Sequence, residues 1–286
     1  MRTAAYIVAI FGILVTAAAL TARLIPVTTH PVLGVAALSP YLTAGAAIAA
    51  VLLLIARRWF TAALAIALTA AGIATQLPLF TGTNPPGGTD VRVLTVNAKD
   101  GHADPKALVD IANANADVVI LEELTPELAD AIDQNGIEKT FRYQTLEPGE
   151  YGHGVGIWSR FPITSSKRIE GYRLEMVSAN IAIPGTQQDT VVVATHLAGP
   201  YPQEMTAWLE EIDRLPGTLA TIKDQANGGA VIVGGDFNAT PPTTWPRSAI
   251  CSLTDSPMPQ SNRALASPEH FPRTAHCRRS SQSITS

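Results

Sequence analysis

Ala230-Val-Ile-Val-Gly-Gly-Asp-Phe-Asn-Ala239 decides the fold of the larger part of this 286-residue chain. Its apolar, β-branched run suits a buried strand. The run ends on Asp236 and Asn238, side chains that offer carboxylate or amide oxygens and an amide donor. The same design recurs upstream: Val91-Arg-Val-Leu-Thr-Val96 leads to Asn97, Asp117-Val-Val-Ile-Leu121 to Glu122 and Glu123, and Val191-Val-Val-Ala-Thr195 to His196. Strand ends are where a layered fold gathers residues distant in sequence into one cleft.

Between these runs, helix and strand signals are mixed. Asp104 is placed to cap a helix with Pro105 at its first position, running to about Asn115. Thr125-Pro126 opens another, and an amphipathic helix fits Pro202 to Ile222. Further strands are expected near residues 141–146, 154–159, 174–183 and 190–195, which predicts a layered α/β or α+β domain. A hard cation such as Mg²⁺ takes oxygen ligands and keeps several waters, so one or two carboxylates and a substrate phosphate suffice. A histidine beside them can stabilise charge developing on a phosphoryl group. Singly, each residue has a plainer reading. His196 reads as a satisfied core residue, Glu122-Glu123 as a solvated helix entry and Asp236-Phe-Asn-Ala239 as a turn.

Taken in order, five motifs resemble the endonuclease/exonuclease/phosphatase superfamily. Leu94-Thr-Val-Asn97 is similar to its opening strand, and Asp117-Val-Val-Ile-Leu-Glu-Glu-Leu124 to the strand ending in an acidic pair. Gly152-His-Gly-Val-Gly-Ile-Trp-Ser-Arg-Phe-Pro-Ile163 resembles its glycine-containing strand, Ala194-Thr-His-Leu197 its histidine strand, and Val233-Gly-Gly-Asp-Phe-Asn-Ala239 its Gly-Asp-Phe-Asn signature. The resemblance implies a four-layer α/β/β/α sandwich of the deoxyribonuclease-I-like type, with two mixed sheets face to face. It implies Glu123 and Asn97 as metal ligands, for Mg²⁺ with Mn²⁺ as the alternative. His196, Asp236 and Asn238 would be catalytic, with Asn97, Asn238 and His196 also contacting the substrate phosphate.

The first 80 residues differ sharply, because all 24 acidic residues lie at Asp90 or later. A bilayer core of about 30 Å takes roughly 20 apolar residues to cross as a helix. Three stretches reach that length, about residues 4–25, 33–56 and 59–80, with Ser39-Pro40 expected to kink or shorten the second. The alternative for the first is a cleaved signal peptide starting at Arg2. Arg57-Arg58 and Arg2 belong on the cytoplasmic side, with Arg23 a lone opposing signal. Three crossings then place everything after Phe80 outside the cytoplasm, beyond a turn-rich linker over 81–89.

From Asp90 to Pro241 there are 22 acidic against 11 basic residues, a formal charge of −11. Nucleic-acid binding draws on cationic contacts to phosphates, so a dedicated nuclease is disfavoured, and no protein partner is implied. The anchor favours a phosphorylated substrate at the bilayer. The arrangement resembles actinobacterial membrane phosphatases associated with glycopeptide resistance, which act on polyprenyl pyrophosphate carriers.

After the domain at 90–241, residues 242–286 turn rich in Ser, Pro and Arg, and hold Cys251 and Cys277. The plain reading is a disordered tail. The resemblance calls instead for further strands closing on an Asp-His pair, which does not occur after Asp236. Reading GC-rich codons for Pro242 onward from their third base permits a helix, a loop and an Ile-Asp-His strand. We therefore expect a frameshifted tail, a sandwich missing its last part, and either an active hydrolase or an impaired member of the family.

Overall fold

The computed structural model describes residues 2–77 and 90–239, and its two compact units take in residues 2–77 and 90–238 respectively. The first contains α1 (Arg2–Ala22), α2 (His30–Ile55) and α3 (Trp59–Gln76). All three are long and apolar enough to cross a membrane, and they lie within a few residues of the expected stretches. Ala9, Ile13, Ala49, Ala50, Leu53, Ala62 and Ala65 form their shared core. A Cβ on Gly12 would stand 2.5 Å from the Gly45 carbonyl oxygen, so α1 and α2 meet backbone to backbone. Close approach through small residues is how helices associate in lipid, where burying apolar surface gains little. Phe11, Ile48, Phe60 and Leu64 point outward and are exposed.

Ser39-Pro40 does not shorten α2, which continues past Pro40 to Ile55. Polar side chains beside this turn hydrogen-bond to Ser39 within the bundle. The Thr43 hydroxyl donates to the Ser39 carbonyl at 2.9 Å, and Arg23 Nη1 donates to Ser39 Oγ at 2.8 Å. Arg23 is thus turned inward and buried.

The second unit runs β1 (Val93–Asn97), α4 (Pro105–Asn115), β2 (Val118–Leu124), α5 (Pro126–Gln134), β3 (Tyr143–Glu147), β4 (Gly154–Ser159), β5 (Ile163–Arg168), β6 (Val177–Ile181), β7 (Thr190–His196), α6 (Thr206–Gln225) and β8 (Val231–Asp236). The strands form two sheets, ordered β1-β2-β4-β3 and β5-β6-β7-β8. The pairs β1–β2 and β7–β8 are parallel and the others antiparallel. Val118, Ile120, Val155 and Ile157 of one sheet share a core with Val177, Ala179, Ile181, Val192 and Ala194 of the other. Side chains alternate along a strand, so Val119, Leu121 and Trp158 face the other way, onto Val109, Ala112, Leu128 and Ile132 of α4 and α5. Helix α6 buries Trp208, Leu215, Leu219 and Ile222 along one stripe and supplies the fourth layer. This is the expected α/β/β/α sandwich.

The local signals work as expected at the helix starts. The Asp104 and Thr125 side chains accept from the backbone N–H groups of Lys106 and Leu128. Arg160 of the Ser-Arg-Phe-Pro-Ile motif is structural. Its guanidinium donates to the Ala116 and Asn113 carbonyls at 2.7 and 2.8 Å, satisfying groups that the end of α4 leaves open. Strand β5 is absent from the sequence expectations. It is polar and exposed beyond Ile163, an edge strand defined by its pairing with β6 rather than by hydrophobic pattern. The linker and the tail at 242–286, with both cysteines, lie outside the described residues. Two strand-helix-strand units, β1-α4-β2 and β7-α6-β8, send their strand C-termini towards one edge of the sandwich, where the site forms.

Candidate functional site

Parallel pairing sets the first layer of the geometry: Asn97 lies opposite Glu122 across β1 and β2, and His196 opposite Asp236 across β7 and β8. A bulge sets the second. Glu122 pairs with Val155 and Leu124 with Gly154, leaving Glu123 as an extra residue. Its φ is +56°, in the left-handed region that costs a side-chain-bearing residue about 1–2 kcal/mol. On a regular strand Glu123 would follow Val119 and Leu121 into the core beneath α4 and α5. The bulge gives that place to Leu124, which is fully buried there, and frees the Glu123 carboxylate to turn to the strand ends.

There it meets residues from both sheets. Asn97 Nδ2 donates to Glu123 Oε1 at 2.7 Å and to Asp236 Oδ2 at 3.2 Å, joining positions 139 residues apart. The Asp100 N–H donates to Glu123 Oε2, and the Lys99 N–H to Asn97 Oδ1 at 2.8 Å. Delivering those N–H groups takes three successive left-handed residues, Lys99, Asp100 and Gly101. Asp236 Oδ1 accepts the Asn238 N–H at 2.8 Å, and Asn238 Nδ2 donates to the Leu197 carbonyl at 2.8 Å, tying the exits of β8 and β7 together. His196 Nε2 stands 3.9 Å from Glu123 Oε1, while Nδ1 is buried without a hydrogen bond. Burial lowers the His196 pKa, with Asp236 and Glu123 opposing it only in part, so the ring is neutral at pH 7.

Asn97, Glu123, His196 and Asp236 therefore come together, and Asn238 stands beside them. Glu122, to which the sequence assigned no role of its own, lies directly beneath. It is not a solvated helix entry: it is 2 % exposed and takes a 2.6 Å hydrogen bond from the Thr95 hydroxyl. The signal for this was its parity, since it shares a face with Val118 and Ile120. Asp100 carried no signal in the sequence, and His153, near enough to depress His196 further, lay inside the glycine-containing motif without a role of its own.

Burial pushes the Glu122 carboxyl up to about 8, with Asp236 and Glu123 adding to the effect against the Thr95 hydrogen bond. The folded protein thus binds this proton more tightly than the unfolded chain, whose carboxyl titrates near 4.5. Its contribution to stability is complete below the unfolded value and is lost as pH rises towards the folded one, at up to about 1.4 kcal/mol per pH unit. Glu122→Gln keeps an acceptor for Thr95 without a titrating group. Denaturant unfolding in chelator at pH 5 and pH 8 should show a steep loss in the parent and a shallow one in the variant.

The donor set suits a hard cation. Two carboxylates converge on the Asn97 amide, and a half-turn of that amide, which gives up the Lys99 N–H bond to Oδ1, brings Oδ1 to the point now held by Nδ2. Among the described residues no three His, Cys, Asp or Glu side chains form a closed cage. An open set of oxygens fits Mg²⁺, which retains several waters, better than Zn²⁺, which takes nitrogen and sulfur.

The model of a family described as Endonuclease/Exonuclease/phosphatase matches residues 91–282. Among solved structures, a β-hairpin deletion mutant of beta toxin from Staphylococcus aureus is 18 % identical with a TM-score of 0.43, covering 55 % of this chain and 70 % of that one. Truncated TDP2 from Caenorhabditis elegans is 19 % identical with a TM-score of 0.44, covering 52 % and 63 %. Sphingomyelinase C from Streptomyces griseocarneus is 18 % identical with a TM-score of 0.43, covering 53 % and 65 %. The chain spans a little under two thirds of the latter two. No curated protein matches it in sequence.

Proposed function

Because the chain belongs to the endonuclease/exonuclease/phosphatase family of metal-dependent phosphoester hydrolases, we propose that it hydrolyses a lipid-carried phosphate or pyrophosphate ester at the outer face of the membrane. The observation that carries this reading is the Asn97 bridge between Glu123 and Asp236, carboxylates from different sheets. Glu123 and Asn97 are the residues to hold the divalent cation, Mg²⁺ in our reading with Mn²⁺ as the alternative. Bound there, the ion would supply positive charge to the phosphate oxygens. Asp236 orients the attacking water and accepts its proton. His196, neutral in its buried position, offers a ring N–H to a phosphate oxygen as charge develops. Asn97 and Asn238 contribute amide donors; one hydrogen of the Asn238 amide is held by Leu197 and the other serves the phosphate.

The location follows from the anchor. Three spans with Arg57-Arg58 retained inside make a multi-pass protein whose catalytic domain lies outside the cytoplasm. A tether holds that domain at high effective concentration over membrane-borne substrates. The −11 charge between Asp90 and Pro241 disfavours nucleic acid. Polyprenyl pyrophosphate combines a lipid with a readily hydrolysed phosphoanhydride and is the substrate we favour.

A second reading, in which the copy is catalytically impaired, is favoured by the change of composition after residue 241, where Ser, Pro and Arg take over. One assay separates the possibilities. Full chain in detergent should release phosphate from polyprenyl pyrophosphate in a chelator-sensitive manner. Turnover of DNA without the lipid would overturn the substrate, and no turnover of either would favour the impaired copy.

A further inference from the structure

Glu211, on the buried face of α6, is 3 % exposed and lies outside the constellation described above. Both of its oxygens accept backbone N–H groups, Oε1 from Arg173 and Oε2 from Ala198, each at 2.7 Å. Ala198 is two residues beyond His196. The intervening Leu197 is already part of the site's frame: its N–H donates to the Asp236 carbonyl at 2.9 Å and its carbonyl receives Asn238 Nδ2. One turn earlier on the same helix, Trp208 Nε1 donates to the carbonyl of Phe237 at 3.3 Å, and Phe237 separates Asp236 from Asn238. One face of α6 therefore grips both the chain leaving β7 and the chain leaving β8.

We propose that Glu211 and Trp208 are positioning residues, holding the two post-strand turns so that His196, Asp236 and Asn238 keep their mutual geometry. This rests on the reading of those three as site residues. A buried carboxylate is costly unless hydrogen bonds meet it, and without it the Arg173 and Ala198 N–H groups would lose their acceptors. The rest of the stripe is apolar, with Ala207, Leu215, Leu219 and Ile222. What the carboxylate adds is two acceptors on one rigid group, which fixes two separate loops at once.

The second loop leads back to the site as well. Arg173 belongs to the 169–175 segment, which α6 also holds through Arg214 to the Gly171 carbonyl and through Thr218 to the Tyr172 hydroxyl at 2.7 Å. From there the Glu175 N–H donates to the His153 carbonyl at 3.0 Å. His153 in turn acts electrostatically on His196. Glu211 thus joins the exit of the His196 strand to the loop bearing His153.

The test uses the full chain in detergent micelles with two variants, Glu211→Gln and Trp208→Phe. Gln keeps one acceptor and presents a donor where the other was. Phe keeps the packing, loses the indole N–H and changes no charge. Glu211→Gln should lower kcat by about 10- to 100-fold with KM within about twofold, the scale expected when reacting groups shift by a fraction of an ångström. Trp208→Phe should lower it less, by about 3- to 10-fold. In both, the His196 ring and Asn238 side-chain amide resonances should move. A packing role alone would lower the melting temperature and leave kcat per folded molecule and those resonances unchanged, and that result overturns the proposal. If Glu211→Gln does not fold, Trp208→Phe decides by the same readouts. If the parent chain hydrolyses nothing, the functional reading fails by itself, while the His196 and Asn238 signals still judge the positioning.

Discussion

Replacing Glu123 by Gln is expected to lower phosphoester hydrolysis about 10³-fold, equivalent to roughly 4 kcal/mol of transition-state stabilisation. Gln keeps the size and one oxygen but loses the charge that a divalent ion requires. A companion variant separates chemistry from folding. Glu123 occupies a left-handed conformation at φ +56°, which only glycine adopts freely. Glu123→Gly should be as inactive as the Gln variant. Its stability should be at least that of the parent and up to about 1 kcal/mol greater, because backbone strain and repulsion from Asp236 are both relieved. Initial rates on a phosphoester and denaturant midpoints measure the two effects. A fully active Glu123→Gln would remove the carboxylate from the mechanism, and a strongly destabilised Glu123→Gly would mean that the bulge serves the fold.

Asp236→Asn should cost a comparable factor in rate, about 10³-fold. It should also move two titrations in the same direction. Asp236 raises the pKa of His196 and that of Glu122, since a nearby negative charge favours the protonated form of each. Removing it should shift both to lower pH, with His196, already depressed by burial, going further down. The fold should tolerate the change, because an Asn oxygen can still accept the Asn238 N–H that Asp236 Oδ1 receives at 2.8 Å. Side-chain NMR titration of the metal-free chain reports both groups. If neither moved, Asp236 would not face the residues it appears beside.

The sandwich and the residues that meet at its strand ends were legible in the sequence because the relevant signals are local. Asp104-Pro105 and Thr125-Pro126 start helices by capping chemistry, and the runs ending in Asn97, His196 and Asp236 announce buried strands by apolar composition. What escaped depends on pairing. Polar β5 is a strand because β6 lies beside it. Glu123 reaches the site through a bulge against β4, which no feature of Glu122-Glu123-Leu124 encodes alone. Glu122 is buried because the second sheet covers its face, so its raised pKa belongs to the sandwich and not to the strand. The continuation of α2 through Pro40 likewise depends on its surroundings, where Arg23 and Thr43 hydrogen-bond to Ser39.

In the proposed mechanism side chains from both sheets surround one cation-and-phosphate centre, and Mn²⁺ tests this through its effect on nearby NMR signals. Titrated into the full chain, the ion should broaden the side-chain amide of Asn97 from the first sheet and the His196 ring and Asn238 amide from the second. All three should respond over one range of Mn²⁺ concentration, and Glu123→Gln should abolish the effect. Broadening confined to residues of a single sheet, or undiminished in Glu123→Gln, would contradict the account.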